Sequence, residues 1–438
     1  MRKKKWFLIL FIFINIFLFI VFSKNEVIVN TKSQIYRILV GDPIDINTGE
    51  INNRYFNIDD TGNRETAKNI NAAIEYANKN NIEYIKLKKG TYKVNGIGNY
   101  KQKKGIVIKS NLEMDFNGST IIHEKNNDPT YALICIYGEN NIKLSNGILI
   151  GDREEHNYAG STHEWGMGIE IRFGNNIEIR NFEIYDMTGD GIYITGVEDD
   201  KGRINTSENI IVENCNIHHC RRQGISIICA NVVEIRNNEI HDINGALPSN
   251  GIDLESNKNI EKIDKVKIYK NTFYNLGGKA AIEVFRGAYT VEIYENELNG
   301  DILCFDAKTE INIHDNIMKN EMFRFYTDDF LQSIGCYNKK AIIERNQIYN
   351  GYMDINDVEE VFIENNTLKE GYISINSCNG QICYNTVENQ KQRQFAYEYK
   401  AERIEKEYKI KVLDNRALGN FEKIENVQES ENLTINKK

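Results

Sequence analysis

Five short stretches of this 438-residue chain carry acidic, hydroxyl or aromatic side chains at one fixed place in a Gly-apolar-x-apolar phrase, with Ala replacing Gly in the last. They are Gly168-Ile169-Glu170-Ile171, Gly191-Ile192-Tyr193-Ile194, Gly224-Ile225-Ser226-Ile227, Gly251-Ile252-Asp253-Leu254 and Ala281-Ile282-Glu283-Val284. If each is a strand and the strands stack in this alignment, Glu170, Tyr193, Ser226, Asp253 and Glu283 form one outward column. Asp190, Gln223 and Asn250 stand just before it, and Arg172, Thr195, Ile228, Glu255 and Phe285 stand two residues beyond it. Arg221, Arg222, Lys279 and Arg286 flank the group.

Two chemistries suit such a face. Paired carboxyl groups cleave glycosidic bonds, one as acid and the other as base or nucleophile. Asp253 and Glu283, on adjacent coils roughly 5 Å apart, approach the separation of a retaining pair. Asp190 and Asp253, two coils apart at roughly 10 Å, are nearer the inverting geometry. Alternatively, Arg222 clamps a sugar carboxylate while Lys279 or a histidine removes the acidified proton, which gives elimination. The candidate catalytic residues are therefore Asp190, Asp253, Glu283, Arg222 and Lys279. Outward strand positions are polar on any soluble solenoid, so a wall that binds glycan without cutting it is the competing reading.

A polar insertion, residues 151–166, adds two histidines, His156 and His163, and Trp165, the one tryptophan beyond the N-terminal apolar run. A tryptophan face complements the C–H side of a sugar ring. Trp165, His163, Glu170, Tyr193, Gln223 and Glu255 are the candidate substrate-binding residues. His218, His219 and His241 directly follow repeat segments and read as turn residues. No HxxxH or HExxH spacing occurs, so a zinc site is not expected. Ca²⁺ bridging Glu170, Asp253 or Glu283 to a substrate carboxylate is compatible with the residue types.

The elements that must position these residues come from a repeat. The phrase apolar-x-apolar-x-x-Asn-x-apolar ends Val233 to Ile240, recurs at Val266 to Phe273, and returns around Asn296, Asn316, Asn346, Asn366 and Asn385. Earlier copies hold Gly147, Phe182 and Cys215 at the Asn position, and the shortest intervals are about 19 or 20 residues. Alternation of period two with such a repeat predicts an all-β, right-handed parallel β-helix. The Asn column is expected to be a structural ladder at the bends, with Asn tolerating positive φ. Residues 66–77 have helical spacing and should cap the first coil; 395–410 is an amphipathic helix candidate for the far end.

The stretch Asp59-Asp60-Thr61-Gly62 through Ala72-Ala73-Ile74, then Leu87-Lys88-Lys89-Gly90-Thr91-Tyr92, resembles the entry segment of the pectate lyase superfamily. That superfamily contains pectate lyases, polygalacturonases, phage tailspikes and epimerases. The resemblance covers roughly residues 55 to 390 and implies the β-helix and a carbohydrate-directed role. The catalytic motifs of polygalacturonases and the Asp-Pro-His-Asp signature of mannuronan epimerases are missing, so the resemblance carries over no reaction.

The chain divides into an N-terminal hydrophobic anchor or signal segment (1–25), a linker (26–54), the β-helix (55–390), and a helical cap and tail (391–438). Basic residues Arg2 to Lys5 precede the apolar run Trp6 to Phe22. That order predicts a membrane-anchored or secreted, extracytoplasmic body. A net charge of −9 argues against nucleic acid and leaves a polysaccharide as the expected partner. The 8 cysteines show no CxxC pair and are read mostly as buried thiols, with Cys378 and Cys383 near enough in sequence to bond.

Overall fold

The computed structural model describes residues 36–98, 101–102, 105–160, 162–305, 309–320, 322–326, 338–376, 378–388, 410–418 and 427–434. The N-terminal apolar run and most of the 395–410 helix candidate lie outside the described residues. Among the described residues no helix is long and apolar enough to cross a membrane.

Every strand of the coil pairs in parallel with the strand one turn later. One wall contains β1 (Ile106–Val107), β2 (Thr130–Tyr137), β3 (Trp165–Arg172), β4 (Asp190–Thr195), β5 (Gln223–Ile227) and β6 (Asn250–Glu255). It continues through β7 (Ala280–Phe285), β8 (Asp301–Phe305), β9 (Met322–Tyr326), β10 (Tyr352–Asn356) and β11 (Tyr372–Asn376). The other two sides are a run of longer strands such as Ala230–Arg236 and Ile263–Tyr269, and a run of three-residue strands such as Glu239–His241 and Thr272–Tyr274. Alternating Ile, Val and Leu fill the interior as one continuous apolar column, which is why short strands that would be marginal alone persist together.

The bend between those two sides carries the Asn ladder. Asn238 donates to Asn271 Oδ1, Asn271 to Asn296, and the chain runs on through Asn316, Asn346, Asn366 and Asn385 at 2.9–3.0 Å. Each amide also returns to a carbonyl, as Asn316 Nδ2 does to Ile293 O at 2.9 Å. The positive φ does not fall on the ladder residue itself. It falls on the residue before it: Lys270 (57°), Glu295 (54°), Arg345 (55°) and Tyr384 (58°). The inward amide is locked by its bonds, so its exposed neighbour absorbs the left-handed turn whatever its side chain. Upstream, Cys215 N donates to Asn238 Oδ1, and Phe182 packs edge-on to Phe116 across Gly147. A Cβ on Gly147 would lie 2.4 Å from the Phe182 ring, so glycine there makes room for the aromatic pair.

The helix α1 (Ala67–Lys79) covers the first coil, burying Ala67, Ile70, Ala73, Ile74 and Ala77. Asn71 accepts from Val107 N and donates to Gly105 O, both at 2.8 Å, which satisfies the exposed edge of β1. Parallel pairing extends past residue 390, because Ile410–Leu418 pairs with Gly380–Cys383 and Asn415 accepts from Asn385. Cys378 and Cys383 are both buried thiols with no disulfide between them.

Candidate active site on the β3–β7 wall

The register of the wall places Glu170 opposite Tyr193, Tyr193 opposite Ser226, Ser226 opposite Asp253 and Asp253 opposite Glu283. The outward column read from the sequence is therefore present. A second set of contacts crosses it diagonally. Ser226 Oγ donates to Asp190 Oδ2 at 2.7 Å, Gln223 Nε2 donates to Asp253 Oδ2 at 2.8 Å, and Asn250 Nδ2 donates to Glu283 Oε2. In each case a side chain at the start of one strand meets the mid-strand residue of the next coil. The strands begin with Asp, Gln and Asn, polar groups able to turn toward the neighbouring coil, and the Gly that follows makes room inside for Ile217, Ile240 and Phe273.

Burial separates these groups. Asp190, Gln223 and Ser226 are fully buried, and Asp253 is 1% exposed, whereas Glu283 and Glu255 are only half-buried. Burial pushes the Asp253 carboxyl well above its usual range, with Glu283 and then Glu255 adding repulsion. Its Oδ1 is buried without a hydrogen-bond partner. Burial also raises Glu283 to about 7, again with Glu255 adding to it, while Asn250 and Arg222 oppose. Asp190 is raised by burial too, but Arg222 Nη1 at 3.1 Å and the Ser226 hydroxyl act against this.

Arg222 is thus committed to Asp190, with Glu164 3.7 Å from its Nε. Arg286 stands 3.7 Å from Glu255 and donates to Ser256 O. Glu170 is held by Arg172 at 2.6 Å and by the Tyr137 hydroxyl, three coils from Asp253, so it does not converge with Asp253 and Glu283. Among the described residues no group of three or more His, Cys, Asp or Glu side chains is arranged to hold a metal ion. Lys279 lies exposed at a left-handed turn (φ 73°) just before β7, and no ion pair joins it to a described carboxylate.

Trp165 is the first residue of β3 and not part of the inserted loop; its indole is 44% exposed and meets Tyr193 edge-on at 6.2 Å. Arg172 lies over the other ring contact of Tyr193, 5.3 Å from its centroid. His163 differs from its expected role at the surface. It is buried, with Nδ1 2.7 Å from His156 Nε2, while His156 Nδ1 lies 2.8 Å from Asp152. Arg153 and Arg221 clamp the insertion to the coil by donating to His219 O and Thr162 O, both at 2.6 Å. The insertion is a fixed rim, and its histidines hold it. The sequence reading missed the role of Asn250, whose spacing before Gly251 matches Gln223 before Gly224 and was the available signal.

Residues 72–273 match the family model described as a right handed beta helix region. That span is a right-handed β-helix. The Bacillus subtilis protein YclG is 30% identical to this β-helix over 283 residues, 60% of this chain and 48% of its own length. The SPbeta prophage-derived protein YorA of the same organism is 27% identical over 278 residues, 59% of this chain and 47% of its own. The chain spans about half the length of these curated relatives. Among solved structures, the Streptococcus pneumoniae surface protein and adhesin PfbA aligns with TM-score 0.51 and 15% identity, covering 87% of this chain and 98% of the PfbA chain. The tailspike of E. coli bacteriophage HK620, solved with a pentasaccharide, aligns at TM-score 0.53 and 13% identity over 83% of this chain and 64% of its own. The A-module of the Azotobacter vinelandii mannuronan C-5 epimerase AlgE4 gives 0.50 and 14%, covering 88% and 99%. These likenesses share the right-handed parallel β-helix fold.

Proposed function

We propose that the β-helix is a carbohydrate-active protein that cleaves a polysaccharide by hydrolysis, with Glu283 as the proton donor. The observation that carries this reading is a half-buried carboxyl raised to about 7, hydrogen-bonded by Asn250 and facing a second carboxyl, Glu255, at the open edge of the wall. Glu283 keeps its proton near neutrality and can give it to a leaving oxygen. Glu255 faces Phe285 in register, so it lies diagonally from Glu283, roughly 8 Å away by strand spacing and rise. That is the range in which a base and an acid leave room for water, and Glu255 then activates the attacking water with Arg286 beside it.

Asp253, although nearest to Glu283 in register, is a poor nucleophile because it is buried and burial disfavours its charged form; it acts as a positioning residue. Elimination is less well supported, since Arg222 already serves Asp190 and Lys279 forms no ion pair with a described carboxylate. Trp165 offers an exposed ring for a sugar unit upstream. The tailspike structure with its pentasaccharide is a fold-level precedent for glycan on such a body. The apolar run at Trp6 to Phe22 supports an extracytoplasmic location with a membrane or secretory segment, which protease accessibility on intact cells tests.

The full chain, incubated with neutral and uronate-containing polysaccharides, should release reducing ends without the absorbance of unsaturated sugars. Unsaturated products would replace hydrolysis by elimination. A second reading, a glycan-binding wall without catalysis, is favoured by the complete burial of Asp190, Gln223 and Asp253. It wins if glycan binds and Glu283→Gln changes neither product yield nor rate.

A further inference from the structure

Beyond Glu283 the same outward column continues through Leu303 to Arg324 and then Asp354. Arg324 stands two coils from Glu283, roughly 10 Å along the helix axis. It differs from the other arginines on this wall. Arg172 pairs with Glu170, Arg222 with Asp190 and Arg286 with Glu255, each within 4 Å. Among the described residues the Arg324 guanidinium bonds a phenol: Nη2 donates to the Tyr352 hydroxyl at 3.3 Å. Its Nε is buried with no hydrogen-bond partner.

Its nearest acids do not fill that gap. Asp301 Oδ1 accepts from Met322 N at 2.9 Å, and Asp354 Oδ1 accepts from Asn356 Nδ2 at 2.9 Å. Both lie close enough to act on the guanidinium electrostatically, yet neither forms an ion pair with it among the described residues. The Tyr352 ring is in turn fixed by stacking on Tyr372, with centroids 4.6 Å apart and planes 5° from parallel. A half-buried arginine held in place by a stacked tyrosine, with no ion pair to a described carboxylate, keeps a positive charge with which to bind an anionic oxygen.

We propose that Arg324, with the Tyr352 hydroxyl, forms a subsite for an anionic group on a sugar, placing that charge about two coils from the bond cleaved beside Glu283. The inference rests on the glycan reading of this wall and adds the substrate class: an acidic polysaccharide, bearing carboxylate or sulfate. Asp301 and Asp354 keep the site from holding free inorganic anions tightly, so the remainder of the glycan chain must contribute to binding.

The test uses the full chain carrying Glu283→Gln, so that ligand persists, and measures dissociation constants by calorimetry. The probes are polygalacturonate and alginate, their carboxyl-reduced neutral counterparts, and dextran sulfate. The expected result is tighter binding of a charged glycan than of its neutral counterpart by roughly tenfold or more. Arg324→Gln should abolish that difference while leaving neutral-glycan affinity unchanged, and Arg324→Lys should restore only part of it. Preference for polyuronate over dextran sulfate assigns a carboxylate, and the reverse assigns a sulfate. Equal binding of charged and neutral glycans, or a charge preference that survives Arg324→Gln, overturns this subsite and leaves the glycan reading standing. Failure to bind any probe overturns both.

Discussion

Gln223 donates from Nε2 to Asp253 Oδ2 at 2.8 Å, and both side chains are buried beneath the rim of the wall. Burial raises the Asp253 carboxyl and so favours its neutral form opposite the amide. Asp253→Asn should therefore fold and match wild-type stability within about 1 kcal/mol near pH 5. The folded-state pKa of Asp253 is raised, so its contribution is fully present below the unfolded value and is lost as pH climbs through the raised one. The variant should then melt above the wild type at pH 9, as thermal unfolding at the two pH values will show. A variant that melts lower at pH 9 than the wild type contradicts a raised Asp253 carboxyl.

Glu283→Gln should lower the rate of glycan cleavage by about 10²- to 10⁴-fold with little change in substrate affinity. Wild-type kcat should fall as pH rises through about 7, where the proton is lost. A kcat that stays flat from pH 5 to 9 is inconsistent with Glu283 as the donor.

Trp165→Ala should weaken glycan binding severalfold while leaving the melting temperature unchanged, because the indole is 44% exposed and packs only edge-on to Tyr193. Calorimetric titration and a melting curve on the same preparation separate the two effects. Equal affinity for variant and wild type would remove Trp165 from the site.

Asn316→Ala removes donations to Ile293 O, His314 O and Asn346, and strands the Asn296 amide that it accepts. With several buried polar groups left unsatisfied, the loss should reach on the order of 3 kcal/mol or more. Denaturant unfolding measures it; a loss below about 1 kcal/mol would mean the ladder is dispensable there.

Burial pushes His123 down to about 4, where its ring stacks on Tyr131 at 4.0 Å and Nε2 accepts from Gly96 N. A depressed value stabilises the fold above the unfolded pKa of about 6.5 and that stability is lost as pH falls through 4, on the order of 3 kcal/mol in all. His123→Phe, which keeps the stack, should flatten the fall in unfolding free energy between pH 6.5 and 4. An unchanged slope would assign the acid sensitivity elsewhere.

The coil was legible in the chain because period two and the recurring Asn report directly on burial and bending. Val233 and Ile235 must face inward, and Asn238 must sit at a corner, wherever the neighbouring coil lies. The same argument aligned Glu170 through Glu283, since strands with matched alternation can stack in one register only without exposing their apolar set.

Period and register say nothing about depth. Trp165 and His163 stand two residues apart in sequence, yet one is exposed on the wall and the other is buried against His156. Asp253 and Glu283 share a column, but Asp253 is buried against Gln223 of the neighbouring coil while Glu283 is left half-open. Sequence by itself determined which residues face outward, because that depends on local alternation. Tertiary structure alone decided which of them are raised by burial, which are already paired, and that Arg324 is not paired with a described carboxylate, because those properties arise from groups contributed by other coils.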